Sequence, residues 1–216
     1  MKLYTFQPLW VWEKLKTTGV YYPINLFDED DFLRDEKSLP WGFLKSYVWL
    51  KEQMIQKGIN SPKGSEHLIW AWYKWSGSQY RPDKRYASVY SFYNTPFVMM
   101  ELEVQDNRVL LNDYDAWHYV LNYWYLNKPR KTDNFQKKYN YFKQKPLEDK
   151  CGHSIIEKSW EHIFDLSGVR KLLQYRKNQQ VVQATFFELF LEDVKVVHYF
   201  DNNKCTFIEQ VNKAVL

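Results

Sequence analysis

The sequence predicts an α+β fold: one domain, with a mixed or antiparallel sheet and about four helices. Two kinds of segment carry that prediction. Runs with two-residue alternation read as strands, the clearest being Val98, Met100, Leu102 and Val104 opposite Met99, Glu101 and Glu103. Runs with apolar residues three and four apart, such as Leu9, Trp12 and Leu15, read as helices. A third observation selects the class: the two kinds do not alternate in the strand–helix–strand order that a parallel doubly wound sheet requires. At 216 residues, with no internal repeat and no interdomain linker, residues 1–216 are read as a single domain.

Residues 3–7 are the first expected strand. Pro8 stands at the first position of a helix through about Thr18, where its missing N–H costs nothing, and Gly19 supplies the left-handed stop. The acidic stretch Asp28 to Asp31 reads as a solvated loop. A second helix is expected to open at Ser38-Leu39-Pro40 and stop at Gly58, with Leu44, Tyr47, Val48, Met54 and Ile55 at helical spacing. Asn60 to Gly64 is turn material. His67 to Trp75 then reads as a strand so aromatic that both faces are expected to be covered, ended by Ser76-Gly77-Ser78. Residues 79–95 are Tyr-rich and irregular.

The alternating strand follows, then a turn at Asp106-Asn107 and a short strand from Val109 to Leu111. Asn112 or Asp113 is placed to cap a third helix to about Trp124, carried by Trp117, Val120, Leu121 and Trp124. Residues 127–150, rich in Lys, Asn, Gln and Tyr and without a period, are read as a basic loop insertion. Ser154 to Glu157 has the form of a capping box, opening a fourth helix on Ile156, Trp160, Ile163 and Phe164. Two strands, near 180–190 and 194–200 and joined at Glu192-Asp193, complete the chain.

Composition narrows the functional classes. A 45% hydrophobic, 26% charged chain is globular rather than disordered or fibrous. A net charge of +4 is too mild to mark a dedicated nucleic-acid binder. No apolar run reaches the roughly 20 residues that span a bilayer, so no membrane partner is expected, and Met1 to Thr5 lacks the apolar region of a signal peptide. Cys151 and Cys205 form neither a metal spacing nor a disulfide framework, which suits reduced thiols and a cytoplasmic location. The histidines show no ligand spacing, and no metal is expected. The unusual feature is aromatic content: 10 Trp, 17 Tyr and 14 Phe make 19% of the chain. Such rings dominate any core they enter, and their O–H and N–H groups suit pocket walls.

Each candidate for chemistry has a structural reading beside the functional one. Glu101 and Glu103 lie on one strand face about 6–7 Å apart, where two carboxylates can split their pKa values and share acid–base work; alternate charges are equally the wet face of an antiparallel strand. Trp70, Trp72, Tyr73 and Trp75 offer flat walls for a base or nicotinamide ring, or simply pack a central strand. Asp113 and Asp115 read as helix caps, and His118 beside them as a base or a satisfied surface group. Arg81 and Arg85, in the Tyr-rich loop, can clamp a phosphate or lie solvated. Lys128 to Lys145 interleaves basic residues with Phe135, Tyr139, Tyr141 and Phe142, a pattern that suits single-stranded nucleic acid and a surface loop equally. No phosphate-binding glycine loop, dinucleotide fingerprint or nucleophile elbow is present.

Several phrases resemble a known family. Leu3-Tyr4-Thr5-Phe6-Gln7-Pro8, Ile69-Trp70-Ala71-Trp72-Tyr73, Leu110 to His118, Glu157-Lys158-Ser159-Trp160 and Val182-Gln183-Ala184-Thr185-Phe186 are similar to a bacterial family catalogued only as a domain of unknown function, over nearly the whole chain. A more distant likeness is to ADP-ribosyltransferase-like folds, in which an opening strand with a His-x-Thr or Arg-type motif precedes such a helix and holds NAD. That likeness implies an NAD or nucleotide site with Thr5 and Gln7 as hydrogen-bonding groups and Gln183 on the strand that carries the catalytic glutamate. The chain departs from the pattern: Thr5 replaces the His or Arg, Gln7 the Thr, and Thr185 the glutamate, with Glu188 the nearest carboxylate.

The resemblance therefore leads to one expectation: an ADP-ribosyltransferase-like domain that binds NAD or a related nucleotide. Trp70, Trp72 and Tyr73 would stack the ligand, and Glu188, or Glu101 and Glu103, would supply the carboxylate. The alternative is a non-catalytic module that binds nucleic acid or protein through the aromatic surface and the basic loop. Nothing in the sequence fixes an oligomeric state.

Overall fold

The computed structural model describes residues 1–23, 41–62, 65, 67–76, 80–83, 96–126, 150–201 and 204–211, with the side chains of 41–42 and 150–153 outside that description. Among them stand nine strands and five helices: β1 (Lys2–Pro8), α1 (Leu9–Thr18), β2 (Val20–Tyr21), α2 (Trp41–Gln56), β3 (Ile69–Lys74), β4 (Phe97–Glu103), β5 (Leu110–Asp113), α3 (Tyr114–Leu121), α4 (Lys150–Trp160), α5 (Leu166–Leu173), β6 (Val182–Phe186), β7 (Leu189–Phe190), β8 (Val194–Asp201) and β9 (Lys204–Gln210). Seven strands form one sheet in the order β5-β6-β3-β1-β4-β8-β9, and β2 pairs with β7 separately. Every neighbouring pair is antiparallel. The fold is α+β, as the mixed but non-alternating pattern predicts.

Alternation sorts the sheet into two faces. On one, Leu3, Val98, Met100, Leu102, Val197, Ile69, Ala71, Ala184 and Phe186 pack under Val11, Trp12 and Leu15 of α1. On the other, Leu110 and Trp70 join Trp49, Leu50, Met54, Trp117, Val120, Trp160 and Val169 from α2, α3, α4 and α5. Further along that second face, Phe97 and Phe200 stack at 4.9 Å beside Met99. The rings that fill the helical side meet edge to face: Trp49 lies 5.3 Å from Trp160, and Tyr47 5.6 Å from Trp117.

Local chemistry accounts for the boundaries, including those that differ from expectation. Gly19, at φ 75°, ends α1 with its N–H on the Leu15 carbonyl. The α2 stripe runs through Ser46, Trp49, Leu50 and Met54, leaving Val48 and Ile55 exposed at 57% and 50%. Ser46 occupies an apolar position because its hydroxyl donates to the Val120 carbonyl at 2.7 Å. Asp113, not Asn112, caps α3 by accepting from the Ala116 N–H. That helix stops at Leu121, because the chain leaves through a left-handed Tyr123 at φ 55°, and Trp124 is exposed. The fourth helix opens at Lys150, so Ser154 lies inside it rather than at its cap.

Three elements go beyond the sequence reading. A fifth helix, α5, is capped by Asp165 accepting from Gly168 N–H at 2.9 Å. Strand β2 is two residues long, and β9 forms an edge with Phe207 and Ile208 exposed. The two strands expected near 180–190 and 194–200 are present as β6 and β8 but do not pair with each other: β6 pairs with β3 and β5, and β8 with β4 and β9. The acidic stretch at 28–31, the helix opening at 38–40, Arg85 with most of the Tyr-rich loop, and the basic insertion through 149 lie outside the described residues.

Candidate functional site

One line of side chains crosses the face of the sheet opposite α1, the face on which α2, α3, α4 and α5 pack. Asn112 of β5 is directly opposite Gln183 of β6, Gln183 opposite Trp72 of β3, Trp72 opposite Tyr4 of β1, and Tyr4 opposite Glu101 of β4. Directly opposed residues of an antiparallel pair share a face. With strands about 4.8 Å apart, this five-strand row is roughly 19 Å long. Two amides, an indole, a phenol and a carboxylate are therefore aligned by register alone.

At the carboxylate end, Glu101 is almost fully buried and gripped from three sides. Its Oε1 accepts from His198 Nε2 at 2.8 Å and from Arg81 Nη2 at 2.7 Å, and Lys2 Nζ stands 3.3 Å from Oε2. The His198 bond, then Arg81 and Lys2, outweigh the opposing effect of burial and hold the carboxyl at about 2. Arg81 Nη2 also approaches His198 Nε2 at 2.8 Å, but both donate to the same oxygen. The other ring nitrogen, Nδ1, is buried without a partner. Arg81 and Lys2 are substantially exposed, so this end presents cations to solvent above an enclosed anion.

At the middle of the row, Trp72 is half-buried and braced by two rings, Trp75 at 4.9 Å and Tyr114 at 5.3 Å. A register shift between Trp72 and Lys74 bends β3 at this point, a device that re-aims side chains. His118 is exposed on α3 and reaches Trp72 only through Tyr114, whose ring it meets edge-on at 4.6 Å. Its Nδ1 donates to the Tyr114 carbonyl. Asp113 is fully engaged, accepting from Ala116 N–H, from Gln180 Nε2 and from the Tyr175 hydroxyl. Burial and that carboxylate push the Tyr175 phenol well up.

Of the residues singled out in the sequence, the row brings together Trp72, Gln183 and Glu101, with Arg81 at one end and His118 at the rim. Thr5 and Gln7 lie on the α1 face instead: the Thr5 hydroxyl donates to the Trp70 carbonyl at 2.7 Å, and Gln7 Nε2 donates to Thr5 at 2.9 Å. Tyr73 packs on that face too. Trp70 shares the face of Trp72 but packs with Tyr47 and Trp117. Glu103 is exposed, so the two carboxylates do not form an enclosed pair. Glu188 follows β6, where Arg108 binds its carbonyl and the buried Asp193 carboxylate.

Tyr4, Asn112, Lys2 and His198 complete the arrangement. His198 had a signal: it occupies the same alternation as the buried Phe200, an apolar parity for a polar ring. Among the described residues no cluster of His, Cys, Asp and Glu suits a metal ion, and no helix is long and apolar enough to cross a membrane. Cys205 is a free thiol. A groove of about 380 Å³ lies elsewhere, on the outer side of α2 between Leu44, Val48, Ile55 and Leu68.

A family model described as "Domain of unknown function (DUF3841)" matches residues 2–195. No curated protein and no solved structure matches the chain.

Proposed function

This chain belongs to the DUF3841 family, and from the row across the sheet we propose that it binds a nucleotide, with NAD the first ligand to test. The observation that carries this reading is the register itself: an indole, two amides and an ionised carboxylate stand in one line on one face. Trp72, half-exposed and braced by Trp75 and Tyr114, suits stacking of a base, which is worth about 1–3 kcal/mol. Among the described residues Glu101 Oε2 takes only Lys2, which leaves a lone pair for a ribose hydroxyl. Arg81 and Lys2, exposed beside Glu101, favour phosphates at that end.

Glu101 takes the role that the distant likeness gives to a glutamate near Thr185. In ADP-ribosyl transfer an ionised carboxylate stabilises the positive charge that develops on the ribose ring. The His198 bond, with Arg81 and Lys2, lowers the Glu101 carboxyl and so favours the ionised form that this role requires.

Thermal melting tests the reading. NAD at 100 times its Kd adds about 2.7 kcal/mol, which raises the Tm of a domain this size by roughly 5–10 °C. Trp72→Ala loses most of that rise while keeping its fold. An unchanged Tm at millimolar NAD contradicts the proposal.

A further inference from the structure

Asn112 and Gln183 are the part of the row that the fold leaves unsatisfied. Asn112 is completely buried, and neither its Nδ2 nor its Oδ1 has a hydrogen-bond partner; Gln183 Oε1 is buried and unpartnered as well. The two residues are directly opposed on one face, close enough for amides to pair. They bond neither each other nor the polar groups nearby, for Gln180 and Tyr175 both turn to Asp113. An apolar pair would fill this place without leaving amide groups unmet.

The unmet groups specify a ligand edge. Two carbonyl oxygens require two N–H donors, and one amide nitrogen requires an acceptor beside them. We propose that Asn112 and Gln183 form a recognition subsite for a ring with an exocyclic amino group next to an acceptor, the edge shared by adenine, cytosine and a carboxamide. The amino hydrogens go to Asn112 Oδ1 and Gln183 Oε1, and Asn112 Nδ2 donates to the neighbouring acceptor. This is the pairing by which asparagine reads adenine in other settings. Trp72, the next residue in the row, supplies the wall on which the same ring lies. Gln183 and Trp72 are half-exposed while Asn112 is enclosed, so the ring enters with its amino edge leading. The subsite rests on the nucleotide reading and says which part of the ligand is recognised.

The experiment is calorimetric titration of matched pairs differing at that edge: AMP against IMP, CMP against UMP, and NAD against nicotinic acid adenine dinucleotide. At least one pair is expected to show tenfold or greater preference for the amino-bearing member, and which pair does so identifies the ring. Asn112→Leu is expected to keep or raise the Tm of the free protein and to reduce the preference below threefold. Gln183→Met, at the more accessible member, reads the same loss independently. Wild-type protein that binds nucleotides without preference, or a preference that survives both substitutions, overturns the subsite and leaves nucleotide binding standing. Absence of binding by every nucleotide overturns both.

Discussion

Glu101 shows how one strand position acquires a role that its neighbour two residues away lacks. Both glutamates project from the same side of β4, and the alternation of the sequence says as much. Only Glu101 is met by His198, Arg81 and Lys2, contributed by three distant stretches of chain, and no local pattern announces that meeting. The consequence is a pH signature. Its carboxyl falls from the ordinary 4.5 to about 2 on folding. Stability from this group is present above pH 4.5 and is lost as pH falls toward 2, and a shift of that size corresponds to about 3 kcal/mol. Denaturant titrations at pH 6, 4, 3 and 2 are expected to show Glu101→Gln less stable than wild type by about that amount at pH 6, with the gap closing by pH 2. A gap that stays constant contradicts the ion-pair account.

At the scale of elements, the legible parts were those whose ends carry strong chemistry. Gly19 closed α1 and the alternation of 98–104 identified β4, both as observed. In α2, Met54 and Tyr47 face the core as the spacing predicts, but Val48 and Ile55 do not, because the stripe passes through Ser46, a buried serine that is satisfied by a carbonyl of α3 and looks like a surface residue in sequence. Helix α5 carries little signal in sequence because it is short and holds Gly168 in its first turn. That glycine has a reason: a Cβ there would lie 2.1 Å from Asp165 Oδ2, the cap itself. Gly168→Ala would ordinarily gain about 1 kcal/mol of helix propensity. Here it is expected to bring no rise in Tm, because it displaces the cap; a clear rise contradicts the capping geometry. Strand β9 was missed because, at the sheet edge, most of its residues are exposed and its pattern follows no single face.

The whole molecule is a sheet with two cores, and the candidate site comes from pairings that only the tertiary fold defines. Residues 4, 72, 101, 112 and 183 are far apart in sequence, yet the order β5-β6-β3-β1-β4 places them in one row. The sequence could name Trp72, Gln183 and Glu101 singly, but not their register, nor that Thr5 and Gln7 point through the sheet to the other side. Trp12 and Trp160, both fully buried, anchor the two cores on opposite faces. Replacing either with Ala is expected to cost about 3–5 kcal/mol in urea unfolding. Because they share no partners, their costs are expected to add to within about 0.5 kcal/mol in a variant stable enough to measure. Strong non-additivity would mean that the cores are coupled through the sheet.

Equilibrium binding of NAD by wild type and Trp72→Ala measures whether this row is a ligand surface. Loss of one stacking ring is worth about 1–3 kcal/mol. Saturable one-site binding by wild type is expected, weakened at least about fivefold in Trp72→Ala with the fold intact. No binding to wild type, or equal affinity in both proteins, contradicts it.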